Sequence, residues 1–385
     1  VSAASGPASA AAGGPGEEHR LVRETFARFS DQRVAPQAEA LDLAHQYPRA
    51  LIGELGALGL FGLRYPQADG GSGMDATALC IALEEIARGS LSVAACAAMQ
   101  ALMGTHFLHA LGGPELRARL LAPALRGERI GALCMTEPDA GSDLGAIATR
   151  ARRVEGGYLL SGRKTWVTAA PVADFFTVFA RTGEDGGLTI FLVERDFAGL
   201  TIGREIAKMG VWALPTSELA LEECRVPDSH RLSAEEGDGE AQLRAILAEI
   251  RIVTAALAIG VARAALAAAL AYGAERRQFG RPINRFQAIQ HKLAEMATEL
   301  EAARLLTYHA AALPAAGGER ARAAAMAKLF ASEAAVAICD KAARVLASYG
   351  YAMDYPVQRY LRDVRFTLIG GGTSEILKQI IARSL

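Results

Sequence analysis

Apolar residues recur at helical spacing in Leu21–Phe29 and again in Leu51–Leu60, so Glu17 to about Arg129 reads as helices. The run Asp69-Gly70-Gly71-Ser72-Gly73 is a loop, and Asp75 is placed to cap a helix through Arg88. A second helix is predicted over Leu91–Leu111, where Met99 and Met103 read as core. The pattern changes between Ile130 and about Pro227, where alternation and hairpin signals take over. Glu155-Gly156-Gly157 separates Ile147–Val154 from Tyr158–Ser161, and Asp185-Gly186-Gly187 separates Phe175–Arg181 from Leu188–Val193. These spacings predict a domain of antiparallel strands. Pro227 to Gly239 is a polar linker. Beyond it, helices are predicted over Glu240–Glu275, Arg285–Ala312, Gly318–Ser348 and Tyr355–Leu368, which together read as a four-helix bundle. The fold class is therefore α+β, in the order helices, strands, helices. The expected boundaries are a disordered Ala/Gly/Ser/Pro-rich tail 1–16, an α-domain 17–129, a β-domain 130–236 and a helical bundle 237–385.

Composition narrows the function classes. The chain has 385 residues, 51% of them apolar, enough for a sizeable core in two or three domains. A net charge of −1 gives no broad pull toward nucleic acid or a membrane. Cys80, Cys96, Cys134, Cys224 and Cys339 are scattered without a CxxC, so neither a zinc site nor a disulfide framework is indicated, in keeping with a reducing cytoplasm. The N-terminal stretch lacks the features of a secretory signal, and no uninterrupted apolar run reaches transmembrane length. Internal repeats are not evident. There is no GxGxxG after a strand and no GxxxxGK[ST] loop.

Candidate chemistry concentrates in Cys134-Met135-Thr136-Glu137-Pro138-Asp139-Ala140-Gly141-Ser142-Asp143. Gly141 permits close backbone approach to a ligand, and Thr136 and Ser142 offer hydroxyls. Lys164-Thr165-Trp166-Val167-Thr168 adds an aromatic wall and another hydroxyl. A planar cofactor with polar edges needs both kinds of group. TEPxAGSD followed by KxWxT resembles the flavin-binding signature of the acyl-CoA dehydrogenase family. A further stretch, Glu275-Arg276-Arg277-Gln278-Phe279-Gly280-Arg281-Pro282-Ile283 with Phe286-Gln287, is similar to the family's ERxxFGxPIxxFQ motif. The resemblance covers nearly everything after the tail and implies FAD. The cofactor contacts it implies are Leu133, Met135, Thr136, Gly141, Ser142, Trp166, Thr168, Arg276, Gln278, Phe279, Phe286, Gln287, Arg344, Ser348, Thr373 and Glu375. A guanidinium suits a diphosphate, so Arg276 takes the family role, while Arg277 reads as a solvated helix-end charge. In the family this segment holds the diphosphate of a neighbouring subunit's FAD, which implies a homotetramer or a dimer.

The chain also departs from the family. Arg344 stands where Gln is expected, Ala347-Ser348 replace two glycines, and Trp212 stands where Arg is frequent. The larger departure concerns the base. The family's reaction needs a carboxylate to take a proton from Cα while Cβ gives a hydride to flavin N5. Gly371 occupies one usual base position, just before Gly372-Thr373-Ser374, and keeps only its main-chain N–H for polarising the thioester carbonyl. The alternative family position, immediately before Arg251, holds Ile250. Glu249 is adjacent, but helical neighbours differ by about 100° in direction, so it reads chiefly as an ion-pair partner of Arg244 or Arg251, with a minor claim as substitute base. Glu375 is a weaker candidate. Arg251 reads equally as a structural ion pair or a substrate contact, alongside Ser142 and Gly372. No metal site is implied.

Three explanations stay open: a base recruited from elsewhere, such as Glu249 after a one-residue helix shift; an unusual acyl group that loses a different proton, including distal desaturation; or an inactive flavoprotein. The retained Thr136, Ser142, Trp166 and Thr168 favour the first two. The expected function is an FAD-dependent dehydrogenase of an acyl-CoA or acyl-carrier-protein thioester, with an electron-transfer flavoprotein as partner. The alternatives are a flavin oxidase or monooxygenase on the same scaffold, and a non-catalytic flavin or acyl-carrier binding protein.

Overall fold

The computed structural model describes residues 16–183, 186–315 and 318–385. The expected disordered tail, apart from Gly16, and Asp185 of the second hairpin lie outside the described residues.

The first region is built from α1 (Glu17–Phe29), α2 (Ala38–Leu43), α3 (Arg49–Ala57), α4 (Ala76–Gly89), α5 (Leu91–Ala98), α6 (His106–Leu111), α7 (Pro114–Leu116) and α8 (Ala122–Leu125). Helix α1 buries Val22, Phe26 and Phe29, one face of its pattern. Asp75 caps α4 as expected, its carboxylate accepting from the Ala78 N–H at 2.8 Å. The helix predicted over Leu91–Leu111 is interrupted by a π-helical stretch, Met99–Gly104, between α5 and α6. Ala94, Ala95, Cys96, Ala97 and Ala98 are fully packed in the core, so this alanine run serves close approach. Met99 and Met103 pack on the core while half-buried.

The strands are β1 (Gly131–Cys134), β2 (Arg150–Val154), β3 (Gly157–Thr168), β4 (Phe175–Thr182), β5 (Gly187–Glu194), β6 (Leu200–Glu205) and β7 (Thr216–Pro227). They form one sheet in the order β1-β4-β2-β3-β7-β6, with β5 also on β4. Antiparallel pairing holds for β2–β3, β4–β5, β3–β7 and β6–β7. The expectation of a wholly antiparallel domain needs correction at β4, which runs parallel to β1 and meets β2 in parallel at Arg181↔Arg150. Hairpin signals report only strands adjacent in sequence, whereas parallel neighbours are joined through a long crossover.

The last region holds α9 (Gly239–Glu275), a short β8–β9 ribbon (Arg277–Gln278 and Arg281–Pro282), α10 (Gln287–Ala312), α11 (Gly318–Leu346), α12 (Pro356–Asp363) and α13 (Ser374–Ala382). Three helices are long, and the shorter α12 and α13 pack on α11. The helix expected over Tyr355–Leu368 is α12 followed by a 3₁₀ stretch, Val364–Leu368. Helix α9 also packs on α4, where Gly260 is needed: a Cβ there would lie 2.4 Å from the Glu84 carbonyl oxygen. Beside this contact, buried Glu84 accepts from Arg263 at 2.7 Å and from Arg304 and Tyr308, and Glu85 from Arg23 at 2.7 Å and Arg263 at 2.8 Å. Buried carboxylates persist only when so paired. Segments Leu91–Leu111 and Gly239–Glu275 are long and apolar enough to cross a membrane, yet most of each apolar stretch is buried inside the protein. Their apolar surface is spent on the core.

The structure also accounts for Trp212. Its ring stacks on His45 at 4.6 Å and carries the Arg362 guanidinium 3.9 Å from its centroid. Its Nε1–H donates to the Lys208 carbonyl at 2.7 Å, and Arg362 is fixed by Asp42 at 2.6 Å. An aromatic here supports a cation brought by α12.

Candidate active site

Strand β1 ends at Cys134 and feeds the turn Glu137–Ala140, closed by Glu137 N–H to Ala140 O at 2.9 Å. Glu137 is 7% exposed and accepts from Ala148 N–H at 2.7 Å, Thr149 N–H at 3.0 Å and the Thr149 hydroxyl. It also accepts from Lys164 Nζ at 2.8 Å, which donates further to the Phe179 and Met135 carbonyls at 2.8 and 3.3 Å. Burial pushes the Glu137 carboxyl up, but the hydrogen bonds from Lys164, Thr149 and Ala148 outweigh it and hold it below its ordinary value. Burial lowers the Lys164 ammonium, against the pull of Glu137. The Thr165 N–H donates to Thr136 O at 2.9 Å. The two sequence motifs are thus stitched into one unit by a buried ion pair and a main-chain bond. Residue spacing alone gives Glu137 and Lys164 no such role.

The surface of that unit has the groups a flavin needs. Gly141 and Ser142 are exposed, Met135, Thr136 and Thr168 are half-buried, and Leu133 lies beneath. Trp166 sits at a register break between β3 and β7, at φ +54° and 56% exposed. A bulky residue held in the left-handed region is an outlier that the ladder must support. An aromatic face so presented, with hydroxyls beside it, fits a planar cofactor with polar edges.

At the end of α9, Phe279 turns the β8–β9 ribbon at φ +50° and is 92% exposed, its ring centroid 6.0 Å from that of Phe286. The Arg276 guanidinium lies 5.9 Å over the Tyr349 ring. Arg277 donates to Gly280 O at 3.0 Å across the turn, and Gln278 to Arg277 O at 2.7 Å; Gln287 is exposed at the start of α10. Among the described residues, no hydrogen bond or ion pair joins this ribbon to the Thr136–Trp166 surface. Arg344 is paired with Asp340 at 2.6 Å, one turn back on α11. Ala347 adopts φ +55° where the family pattern has glycine, and Ser348 is exposed.

The decisive geometry lies where α9 meets the loop before α13. A Cβ on Gly371 (φ +74°) would lie 3.2 Å from Ile250 Cγ2, 3.5 Å from Thr254 Oγ1 and 3.9 Å from Arg251 Cγ. The two candidate base positions, 121 residues apart by subtraction of their numbers, are one place in space. It presents a hydrogen and an aliphatic side chain, and none of those three nearest atoms is an acid oxygen. Glu249 points elsewhere, bound by Arg320 and 3.7 Å from Arg64. The expected pairing with Arg244 or Arg251 is corrected: Arg244 pairs with Glu240 at 2.6 Å, one helical turn away, and Arg251 Nε donates to Gly371 O at 3.3 Å. Glu249 and Ile250 face different ways because one helical step separates them. Glu375 is exposed at the first turn of α13, which Thr373 caps by accepting from Ile376 N–H at 3.4 Å. The Glu375 main-chain N–H and then the Thr373 hydroxyl hold its carboxyl below the ordinary value.

Two cations support the loop. Arg251 is 9% exposed, and burial lowers its guanidinium. Lys328, which sequence reading missed, is fully buried and donates to Gly372 O at 2.6 Å. Burial, then Arg251, bring it down to about 8, against Glu333 and Glu375.

The match to known proteins follows this architecture. Residues 16–128, 132–224 and 237–385 match the N-terminal, middle and C-terminal domains of acyl-CoA dehydrogenase. The chain belongs to the acyl-CoA dehydrogenase family. It is 66% identical to benzylmalonyl-CoA dehydrogenase of Aromatoleum aromaticum, over 96% of this chain and 98% of that protein. It is 40% identical to the 3-(aryl)acrylate reductase of Clostridium sporogenes, over 96% and 98%. Among solved structures, the glutaryl-coenzyme A dehydrogenase–glutaryl-CoA complex matches with a TM-score of 0.92 at 36% identity, covering 96% of this chain and 95% of that one. A Mycobacterium smegmatis glutaryl-CoA dehydrogenase in complex with FADH2 matches with a TM-score of 0.91 at 31% identity over the same shares. This acyl-CoA dehydrogenase is an FAD-dependent oxidoreductase acting on CH–CH groups of acyl thioesters. The oxidase and non-catalytic alternatives are not favoured by these relatives.

Proposed function

We propose that this acyl-CoA dehydrogenase oxidises an α-carboxylated, aryl-bearing acyl-CoA with loss of CO₂. The observation that carries the reading is that both base positions converge at Gly371 and Ile250 and hold no carboxylate. The 66% identical relative named for benzylmalonyl-CoA supports the substrate class, because a malonyl thioester carries a carboxylate on the carbon whose proton a base would otherwise remove.

Bound FAD supplies the hydride acceptor. The residues proposed to hold it are Leu133, Met135, Thr136, Gly141, Ser142, Trp166 and Thr168 on one subunit. From a second copy, Arg276, Gln278, Phe279, Phe286, Gln287, Arg344 and Ser348 would reach its diphosphate and adenosine, with Thr373 and Glu375 nearby. The thioester carbonyl lies against the Gly371 N–H, which makes no hydrogen bond among the described residues. The bond from Cα to the carboxylate breaks and its electron pair stays on Cα, delocalised into the thioester as an enolate; CO₂ leaves. That pair becomes the second bond between Cα and Cβ as Cβ releases its hydride. No proton has to be taken from Cα, so a base worth typically 10²–10⁴-fold elsewhere is dispensable here.

Anaerobic mixing with benzylmalonyl-CoA tests this: one CO₂ per flavin reduced is expected, and none of either with 3-phenylpropionyl-CoA. Bleaching by 3-phenylpropionyl-CoA without CO₂ overturns it. The reading also takes in a homotetramer or dimer, supported by Phe279 and Tyr351 at 92% and 91% exposure. An electron-transfer flavoprotein as acceptor is supported by the family, and a reducing cytoplasm by five buried free cysteines. Domain boundaries are placed at 129/130 and 236/237.

A further inference from the structure

The charge balance beside Gly371 points to the residue that recognises the substrate. Arg251 is buried, its Nε is used by Gly371 O at 3.3 Å, and it forms no ion pair among the described residues. Lys328 lies behind the same loop, spent on Gly372 O. The acids around them are engaged or exposed. Glu249 is held by Arg320 and Arg64, Glu333 accepts from the Ser374 hydroxyl at 2.6 Å, and Glu375 stands in solvent on α13. A buried guanidinium without a counter-charge is costly and calls for one. The position from which a carboxylate could supply it, a side chain on Gly371, would start 3.9 Å from Arg251 Cγ, and glycine supplies none.

We infer that Arg251 is the specificity-determining residue for the α-carboxylate: the substrate brings the anion that this site lacks, and the guanidinium Nη groups receive it. This rests on the proposed function above. The guanidinium selects substrates that carry their own leaving group and disfavours plain acyl thioesters, which leave the cation unpaired. Nε stays on Gly371 O, so the same side chain fixes the loop whose N–H faces the thioester.

Malonyl-CoA and acetyl-CoA are suitable probes, because they differ only by the α-carboxylate and neither has a β-carbon to give up a hydride. With FAD-loaded enzyme at neutral pH, malonyl-CoA is expected to bind roughly tenfold or more tightly than acetyl-CoA, the worth of a charge-assisted hydrogen bond. Arg251→Gln should bring the ratio near one with FAD content retained, and Arg251→Lys should recover part of it. A second pair of variants leaves Arg251 in place. Ile250→Glu, which sets a carboxylate beside the guanidinium, should abolish the preference, and its neutral isostere Ile250→Gln should keep it. A wild-type ratio near one, an unchanged ratio in Arg251→Gln, or equal ratios in the two Ile250 variants would overturn the assignment. CO₂ release by the wild type with an unchanged ratio in Arg251→Gln would sink this inference alone, whereas absence of CO₂ release sinks the proposed function.

Discussion

The Thr136–Trp166 surface and the Gly371–Ile250 corner meet the family's requirements in opposite ways. At the first, an exposed aromatic face with hydroxyls beside it is kept and braced from behind, by Glu137 and Lys164 paired at 2.8 Å and a main-chain bond of 2.9 Å. At the second, the framework is kept and the reactive group is missing: Arg251 and Lys328 still hold the loop carbonyls, but neither base position bears an acid. On the function proposed above, the oxidising half of the site is kept while the substrate's own leaving group takes over the proton-removing half.

The sharpest way to break this contrast is to restore the base. Ile250→Glu should give dehydrogenation of 3-phenylpropionyl-CoA about 10²–10⁴-fold above the wild type, read as anaerobic flavin bleaching without CO₂. Gly371→Glu should not match it, because φ is +74° and Ile250 Cγ2 lies 3.2 Å from the new Cβ. No gain in Ile250→Glu would mean that the corner is not where Cα lies.

Next in size, Lys164→Met should lower stability by about 3 kcal/mol by stranding Glu137, with loss of FAD, seen as a lower Tm and a colourless protein. The Glu137 carboxyl is held below its ordinary 4.5, so its contribution is present above that value and lost as pH falls through the lower folded value. The variant should therefore also flatten acid unfolding below pH 4.5.

A smaller effect sharpens the corner. Lys328 titrates at about 8, facing Arg251, Glu333 and Glu375. As pH rises through that value it loses charge while Arg251 keeps its own, so the preference for malonyl-CoA over acetyl-CoA should fall roughly twofold to fivefold. A preference that is flat across that range, or as steep in Lys328→Met, removes Lys328 from the substrate's charge balance. Least of all, Ala347→Gly should raise stability by up to about 1 kcal/mol, since Ala347 bears a left-handed backbone that glycine adopts without strain. Denaturant midpoints check it.

Local patterns carried much of this. Asp75 capped its helix because a cap is a four-residue affair, and the hairpins at Gly156 and Gly186 followed from turns adjacent in sequence. The parallel β1–β4 pair escaped for the converse reason, as did α13, a short helix whose N-cap, Thr373, follows a run of glycines. Glu249 was placed correctly off the Ile250 direction by helical geometry, yet its partners Arg64 and Arg320 come from distant segments that no local rule selects.

By itself the sequence determined the α, β, α order, the flavin motifs and the absence of an acid at Gly371 and at Ile250, because each is written in residue type and short-range spacing. Only the tertiary structure decided that these two positions are one place, that Glu137 and Lys164 join the motifs, and that Arg251 has no ion-pair partner among the described residues. Those are facts of packing between α9, the sheet and the C-terminal loop, and charge balance in a buried site depends on which side chains the fold brings together.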